Sequence, residues 1–208
     1  MIILPSTTRV SRRLPKEAFY RRLKLDPKQK EEFVQIIDRV TVRNSIKAST
    51  VNVEDSAEVQ EILVLIIELK REIVPILALE VIAKNNPHKL IFDCRFEDNT
   101  AYAIYRSGEV WTSQWFKEES NEDLELRLIG GSLTKAWDSY CAQLLFDKDY
   151  VEDVESKISK SKLVRQLDFE IVYLERQHGK EMQTNRRNEL FGRLRAALRE
   201  REELMKEL

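Results

Sequence analysis

The sequence predicts an α+β protein: a mixed β-sheet core with packed helices over residues 1–148, then a helical, coiled-coil-like extension over 149–208. Three observations predict it. Ile62–Ile67 is a run of six aliphatic residues, apolar on both strand faces, as in a central strand covered on each side. Shorter strand-like and helix-like runs flank it, separated by turn residues. Beyond about residue 150 proline is absent, Gly179 and Gly192 are the only glycines, and apolar residues recur at intervals of three and four.

Each element follows in order. Pro5 and Pro15 argue for an extended N-terminal arm, and residues 16–23 read as a short helix. Asp26-Pro27 opens a second helix reaching Val40, with Phe33, Ile36, Ile37 and Val40 as its apolar stripe. Residues 41–55 read as β structure with a turn at Asn44-Ser45 or Ala48-Ser49. The central strand follows, then a buried helix over 74–86 stopped by Pro87. "KLIFDCRF", "TAYAIYR" and "EVWTSQWFK" read as three strands joined at Asp98-Asn99 and Ser107-Gly108. Residues 121–133 read as a short helix ending at Gly130-Gly131, and 133–146 as another with Leu133, Trp137, Tyr140, Leu144 and Leu145 inward. In the extension, Leu167, Ile171 and Leu174 form one leucine-spaced block. Leu190, Leu194, Ala197, Leu204 and Leu208 form the other, with Arg201 in one core-like slot. The polar stretch 175–189 lies between them. Either the chain turns back near Gly179 or one long helix continues, and propensity favours helix through 180–191.

The net charge of −1 implies no particular partner, but its distribution is uneven. Residues 1–47 hold 12 Lys/Arg against 5 Asp/Glu, whereas 48–149 hold 10 against 19. That fits either a polyanion-binding face or internal charge complementarity. Cys94, Cys141, His88 and His178 have no zinc-ligand spacing. Two cysteines and no signal peptide suggest a cytoplasmic location, and the longest apolar run is far short of a membrane span. No phosphate-cradling glycine loop or nucleophile elbow is present. Cys141, among apolar helix neighbours, reads as buried and inert, and Trp111, Trp115 and Trp137 read as packing residues.

Three constellations carry possible chemistry. Glu68-Leu69-Lys70 matches the Glu-x-Lys strand of restriction-endonuclease-like nucleases. There two carboxylates hold Mg²⁺ and the lysine serves the attacking water. Strand alternation would point Glu68 and Lys70 the same way, and Asp55 (or Glu54) would be the second metal ligand. An ordinary strand end explains the triplet equally, and no Pro-Asp precedes it. The leading reading therefore has no catalytic residue, no metal and no cofactor. The second constellation is Arg9, Arg12, Arg13, Lys16, Arg21 and Arg22, whose density suits phosphate backbones. The third is "QTNRRNE", with Gln183, Asn185, Arg186 and Arg187 leading into Leu190 and Leu194. It reads as a partner-facing helix segment, a register device or a solvated face.

"LPSTTRVSRRLPKEAFYRRL", "VEDSAEVQEILVLIIELK" and "KEMQTNRRNELFGRLRAAL" together resemble the bacterial family catalogued as domain of unknown function 4391. Thr184 stands where that family often has an aromatic residue, and Lys70 is not a regular feature of it. The resemblance implies a bacterial or archaeal protein whose gene often lies beside helicase and DNA methyltransferase genes of restriction or phage-defence type. It implies no established activity. The expectation is a non-enzymatic accessory subunit that docks a helicase, nuclease or methyltransferase, or a second copy, through its C-terminal helices. The alternatives are a Mg²⁺-dependent nuclease subunit and a nucleic-acid-binding protein that uses the basic arm.

Overall fold

The structure is a computed structural model that describes residues 2–117 and 124–208. It divides into two compact units, Met1–Val151 and Glu152–Leu208. The first unit begins with β1 (Ile2–Ile3), β2 (Arg9–Leu14), α1 (Lys16–Arg22), α2 (Pro27–Gln35), β3 (Ile37–Ile46) and α3 (Ala48–Val51). It continues with β4 (Ile62–Leu69), α4 (Ile76–Lys84), β5 (Lys89–Phe96), β6 (Asn99–Arg106), β7 (Glu109–Thr112), β8 (Phe116–Lys117), β9 (Leu124–Glu125) and α5 (Leu133–Phe146). The second unit contains α6 (Val154–Lys180) and α7 (Thr184–Lys206).

The main sheet has the order β2-β3-β4-β5-β6-β7, with β8 also paired to β6. Only β4 and β5 run parallel, because α4 connects them as a crossover; the other neighbours are antiparallel. As its composition predicts, β4 is central. One sheet face carries Leu65, Ile67, Phe92, Cys94, Val40 and Val42 and packs against Phe33 of α2 and Ala78, Leu79 and Ile82 of α4. Asp26 and Gln29 cap α2 reciprocally. α4 starts without its own side-chain cap, so Glu32 of α2 supplies one, accepting from the Ala78 amide at 2.8 Å. Burial raises the Glu32 pKa above its ordinary value despite that bond. By strand alternation Glu68, Asp93 and Arg95 lie on the opposite face.

Several sequence expectations are corrected. Residues 9–14 are not a free arm but an edge strand on β3, with a bulge at left-handed Ser11 (φ 53°). α2 ends at Gln35, and Ile37 and Val40 belong to β3, which runs straight through Asn44-Ser45. The expected strand over 109–117 is two short strands pairing with different parts of β6. Of the expected helix over 121–133, residues 121–123 lie outside the described residues. Leu124–Glu125 are a strand in parallel with β1. No helix among the described residues is long and apolar enough to cross a membrane.

The second unit is an antiparallel helical hairpin. Asp153 caps α6 through the Ser156 amide at 2.9 Å. The chain reverses at Glu181–Gln183, two residues beyond Gly179, because Glu181 leaves the helical region (ψ 125°) and its carboxylate accepts from the Gln183 amide. Leu167, Ile171, Leu174 and Ala197 are buried in the seam, with Leu190, Leu194 and Leu204 against them. Asp168–Arg201 (2.5 Å) and Glu170–Arg193 (3.4 Å) flank it. Lys157 donates to the Leu208 carbonyl and Lys160 pairs with Glu207 at 2.6 Å, closing the open end.

Candidate nucleic-acid and partner interfaces

The side of β3, β4 and β5 away from α2 and α4 holds the densest charge in the core. Asp93 is fully buried, 2.5 Å from the Arg95 guanidinium and 3.8 Å from that of Arg43. It sits beside Ile66 in register, as Arg95 sits beside Glu68, so all four residues share one patch. Burial pulls the Arg43 pKa down first and the Arg95 charge second, while Asp93 opposes them and Arg9 adds to the repulsion. Two guanidiniums thus flank one carboxylate, with Arg9 near enough to repel Arg43. Beside them lies a cavity of about 310 Å³ lined by Ile3, Leu4, Pro5, Ser6, Arg9, Arg43 and Asn44. Asn44 is fixed there by donating to the Thr8 hydroxyl at 2.8 Å. A concave site walled by guanidiniums, an amide and a hydroxyl suits an anionic ligand such as a phosphodiester.

Of the basic residues singled out from sequence, Arg9, Arg12 and Arg13 are exposed along β2 and only Arg9 reaches this cavity. Lys16 has a structural partner, donating to the Ile37 carbonyl at 2.8 Å. Its pKa is lowered by burial and then by Lys70. Arg21 and Arg22 lie in α1. Arg43 and Arg95, which complete the cluster, were missed. The signal was an acid inside an apolar run, Asp93 in "KLIFDCRF", which must be neutralised where it is buried.

The structure does not bring Asp55 together with Glu68 and Lys70. Glu54 bonds to Gly131 and Ser56 touches Thr134, so Asp55 lies beyond the N-terminal end of β4. Glu68 is near the other end, about 20 Å from Ile62 at ordinary strand rise. There it pairs with Arg39 at 3.5 Å. β4 ends at Leu69, so strand alternation no longer aims Lys70 beside Glu68, and its ammonium donates to the Val34 carbonyl at 2.8 Å. Among the described residues, no three His, Cys, Asp or Glu side chains are grouped to hold a metal ion.

In the hairpin, Gln183 precedes α7, and Asn185, Arg186 and Arg187 occupy its exposed first turns. Leu190 and Leu194 turn toward α6 instead of outward. The exposed apolar side chains are others: Leu163, Phe169, Val172 and Tyr173 on α6, Met182 at the turn, and Phe191, Leu198 and Met205 on α7. With these ends and the β4 centre placed, the comparison with known families is decisive. The chain belongs to the family described as Domain of unknown function (DUF4391). The family model matches residues 2–200. No curated protein and no solved structure matches the chain. The DUF4391 match thus spans both units, including the arginine-lined cavity and most of the hairpin.

Proposed function

We propose that this DUF4391 chain is a non-enzymatic accessory subunit of a bacterial nucleic-acid-processing complex of restriction or phage-defence type. The hairpin joins it to a larger helicase, nuclease or methyltransferase. The observation that carries the reading is the outer face of α6. The seam with α7 is closed by Leu167, Ile171 and Leu174, yet Phe169 and Tyr173 on the opposite side are 72% and 57% exposed, with Val172 between them. Two aromatics one turn apart on a solvent face suit burial against a partner, where such residues dominate binding energy. The class of partner comes from the gene neighbourhoods that the family resemblance implies. The test is affinity capture from the native host. The wild-type chain should recover one larger protein at near-equal amounts, and Phe169→Glu/Tyr173→Glu should lose it while keeping its helical circular dichroism. Equal recovery by the variant would sink the reading.

A second reading, polyanion binding on the core, is favoured by the cavity that Arg9 and Arg43 line. Binding of a labelled DNA duplex should fall steeply with salt, and Arg9→Gln/Arg43→Gln should flatten the log–log slope by roughly one for each phosphate no longer neutralised. An unchanged slope would place any binding elsewhere.

A further inference from the structure

We infer that the chain pairs with a second copy of itself along the outer flank of α7, the two helices packing antiparallel about Leu198. α7 carries two apolar seams. The inner one, Leu190, Leu194, Ala197 and Leu204, is used by α6. The second runs through Phe191, Leu194, Leu198, Arg201 and Met205, alternating steps of three and four. Phe191, Leu198 and Met205 recur every seven residues and are 48%, 44% and 47% exposed. Phe191 lies 5.7 Å from the His178 ring of α6 and under the Arg195 guanidinium at 6.0 Å, yet it stays about half exposed like Leu198 and Met205. A half-exposed heptad stripe is what a further helix packs against. Arg201, the one charged member, is already paired with Asp168.

The occupant follows from the charges beside the stripe. Arg195 and Glu202 lie along its solvent edge, seven residues apart and opposite in sign. A two-fold axis perpendicular to both helices at Leu198 sets Leu198 against its own copy and Phe191 against Met205 of the second copy. The same axis brings Arg195 within one residue's rise, about 1.5 Å, of the level of Glu202 of the second copy. Glu202, which pairs with Lys206 within its own helix at 3.0 Å, comes within the same distance of the level of the second copy's Arg195, so the two charges come within reach of their opposites. The patch is therefore self-complementary, as an isologous dimer contact requires. Residues 191–205 span about 21 Å of helix, enough for a modest, concentration-dependent contact.

This surface is distinct from the Phe169–Tyr173 face of α6, so the two readings fail separately. The full-length chain should sediment as a dimer across a dilution series that ends in monomer. Arg195→Glu or Glu202→Arg alone should weaken the dimer about tenfold. The double variant should restore it, and Leu198→Glu should abolish it with helical content unchanged. Leu198→Cys should oxidise to a covalent dimer, with Cys94 and Cys141 both buried and silent. A chain that stays monomeric throughout, or a double charge reversal no better than the singles, would overturn the inference. Recovery of a host protein by such a monomer would leave the accessory-subunit reading standing.

Discussion

Removing the Asp93 carboxylate tests whether charge organises the face of the sheet away from α2 and α4. Asp93 is wholly buried between the guanidiniums of Arg95 (2.5 Å) and Arg43 (3.8 Å), and the Arg43 pKa is already lowered by burial and by Arg95. Asp93→Ala removes the counter-charge between two cations that repel one another. Breaking a buried pair by deleting one partner costs about 3–5 kcal/mol. With a urea slope of about 2 kcal/mol per molar for a domain of this size, the unfolding midpoint should fall by roughly 1.5–2.5 M. Trp111, Trp115 and Trp137 all lie in the first unit, so tryptophan fluorescence follows the core transition alone. Arg43→Met should cost less than half as much, because Asp93 keeps Arg95. Asp93→Asn should fall between, since it keeps an acceptor without the charge. A midpoint shift below about 0.3 M for Asp93→Ala, or an arginine deletion that costs more than the aspartate deletion, would refute the reasoning.

Other outcomes follow from the same geometry. The purified chain should leave single- and double-stranded DNA uncut in Mg²⁺ or Mn²⁺; metal-dependent cleavage lost in Glu68→Ala would reinstate the nuclease reading. Glu32, whose pKa burial raises, binds a proton more readily folded than unfolded, so its contribution to stability declines as pH rises through the folded pKa. Glu32→Gln keeps an acceptor for the Ala78 amide, and its melting temperature relative to wild type should therefore rise between acid and neutral pH; a constant difference would contradict this. Leu174→Ala, deep in the hairpin seam, should destabilise the second unit by about 2–5 kcal/mol, seen as loss of helical circular dichroism at lower denaturant.

The parts of the fold legible in the sequence are those fixed by local composition. β4 reads as a central strand because both its faces are aliphatic, and α5 and α6 read as helices because their stripes are long and uninterrupted. The α2–β3 junction misled because Phe33, Ile36, Ile37 and Val40 satisfy a helical period, while Val40, Val42 and Ile46 satisfy a strand period after a bulge. Asn44-Ser45 reads as a turn by residue type. In the fold Asn44 is buried and bonded to Thr8, thirty-six residues earlier, a non-local contact no window can show. The arginine cavity was half legible for the same reason: Arg9 stood out within a basic run, whereas Arg43 lines the cavity, and Arg95 comes near Arg43, only through strand pairing. On α7 the inner seam was legible and the outer one was not, because Leu194 and Arg201 belong to both and mask the seven-residue recurrence of Phe191, Leu198 and Met205.

The basic N-terminal segment has two physical explanations, and the strand it forms separates them. β2 is an edge of the main sheet, and its Arg9, Arg12 and Arg13 are exposed. Charged side chains and a bulge on an edge strand discourage pairing with other chains, and β2 has both, the bulge at Ser11 included. That role needs charge of either sign, whereas polyanion binding needs positive charge. Arg12→Glu/Arg13→Glu therefore keeps the edge protected and removes the phosphate attraction. The variant should remain as soluble as wild type and lose affinity for DNA of every sequence alike, most at low salt. Arg12→Thr/Arg13→Thr removes both properties, so it should lose affinity and also aggregate on concentration, since threonine favours strands and leaves the edge neutral. DNA affinity surviving the glutamate variant would assign these arginines to edge protection alone. Unchanged solubility in the threonine variant would leave the Ser11 bulge sufficient to guard the edge, and the arginines free for a ligand.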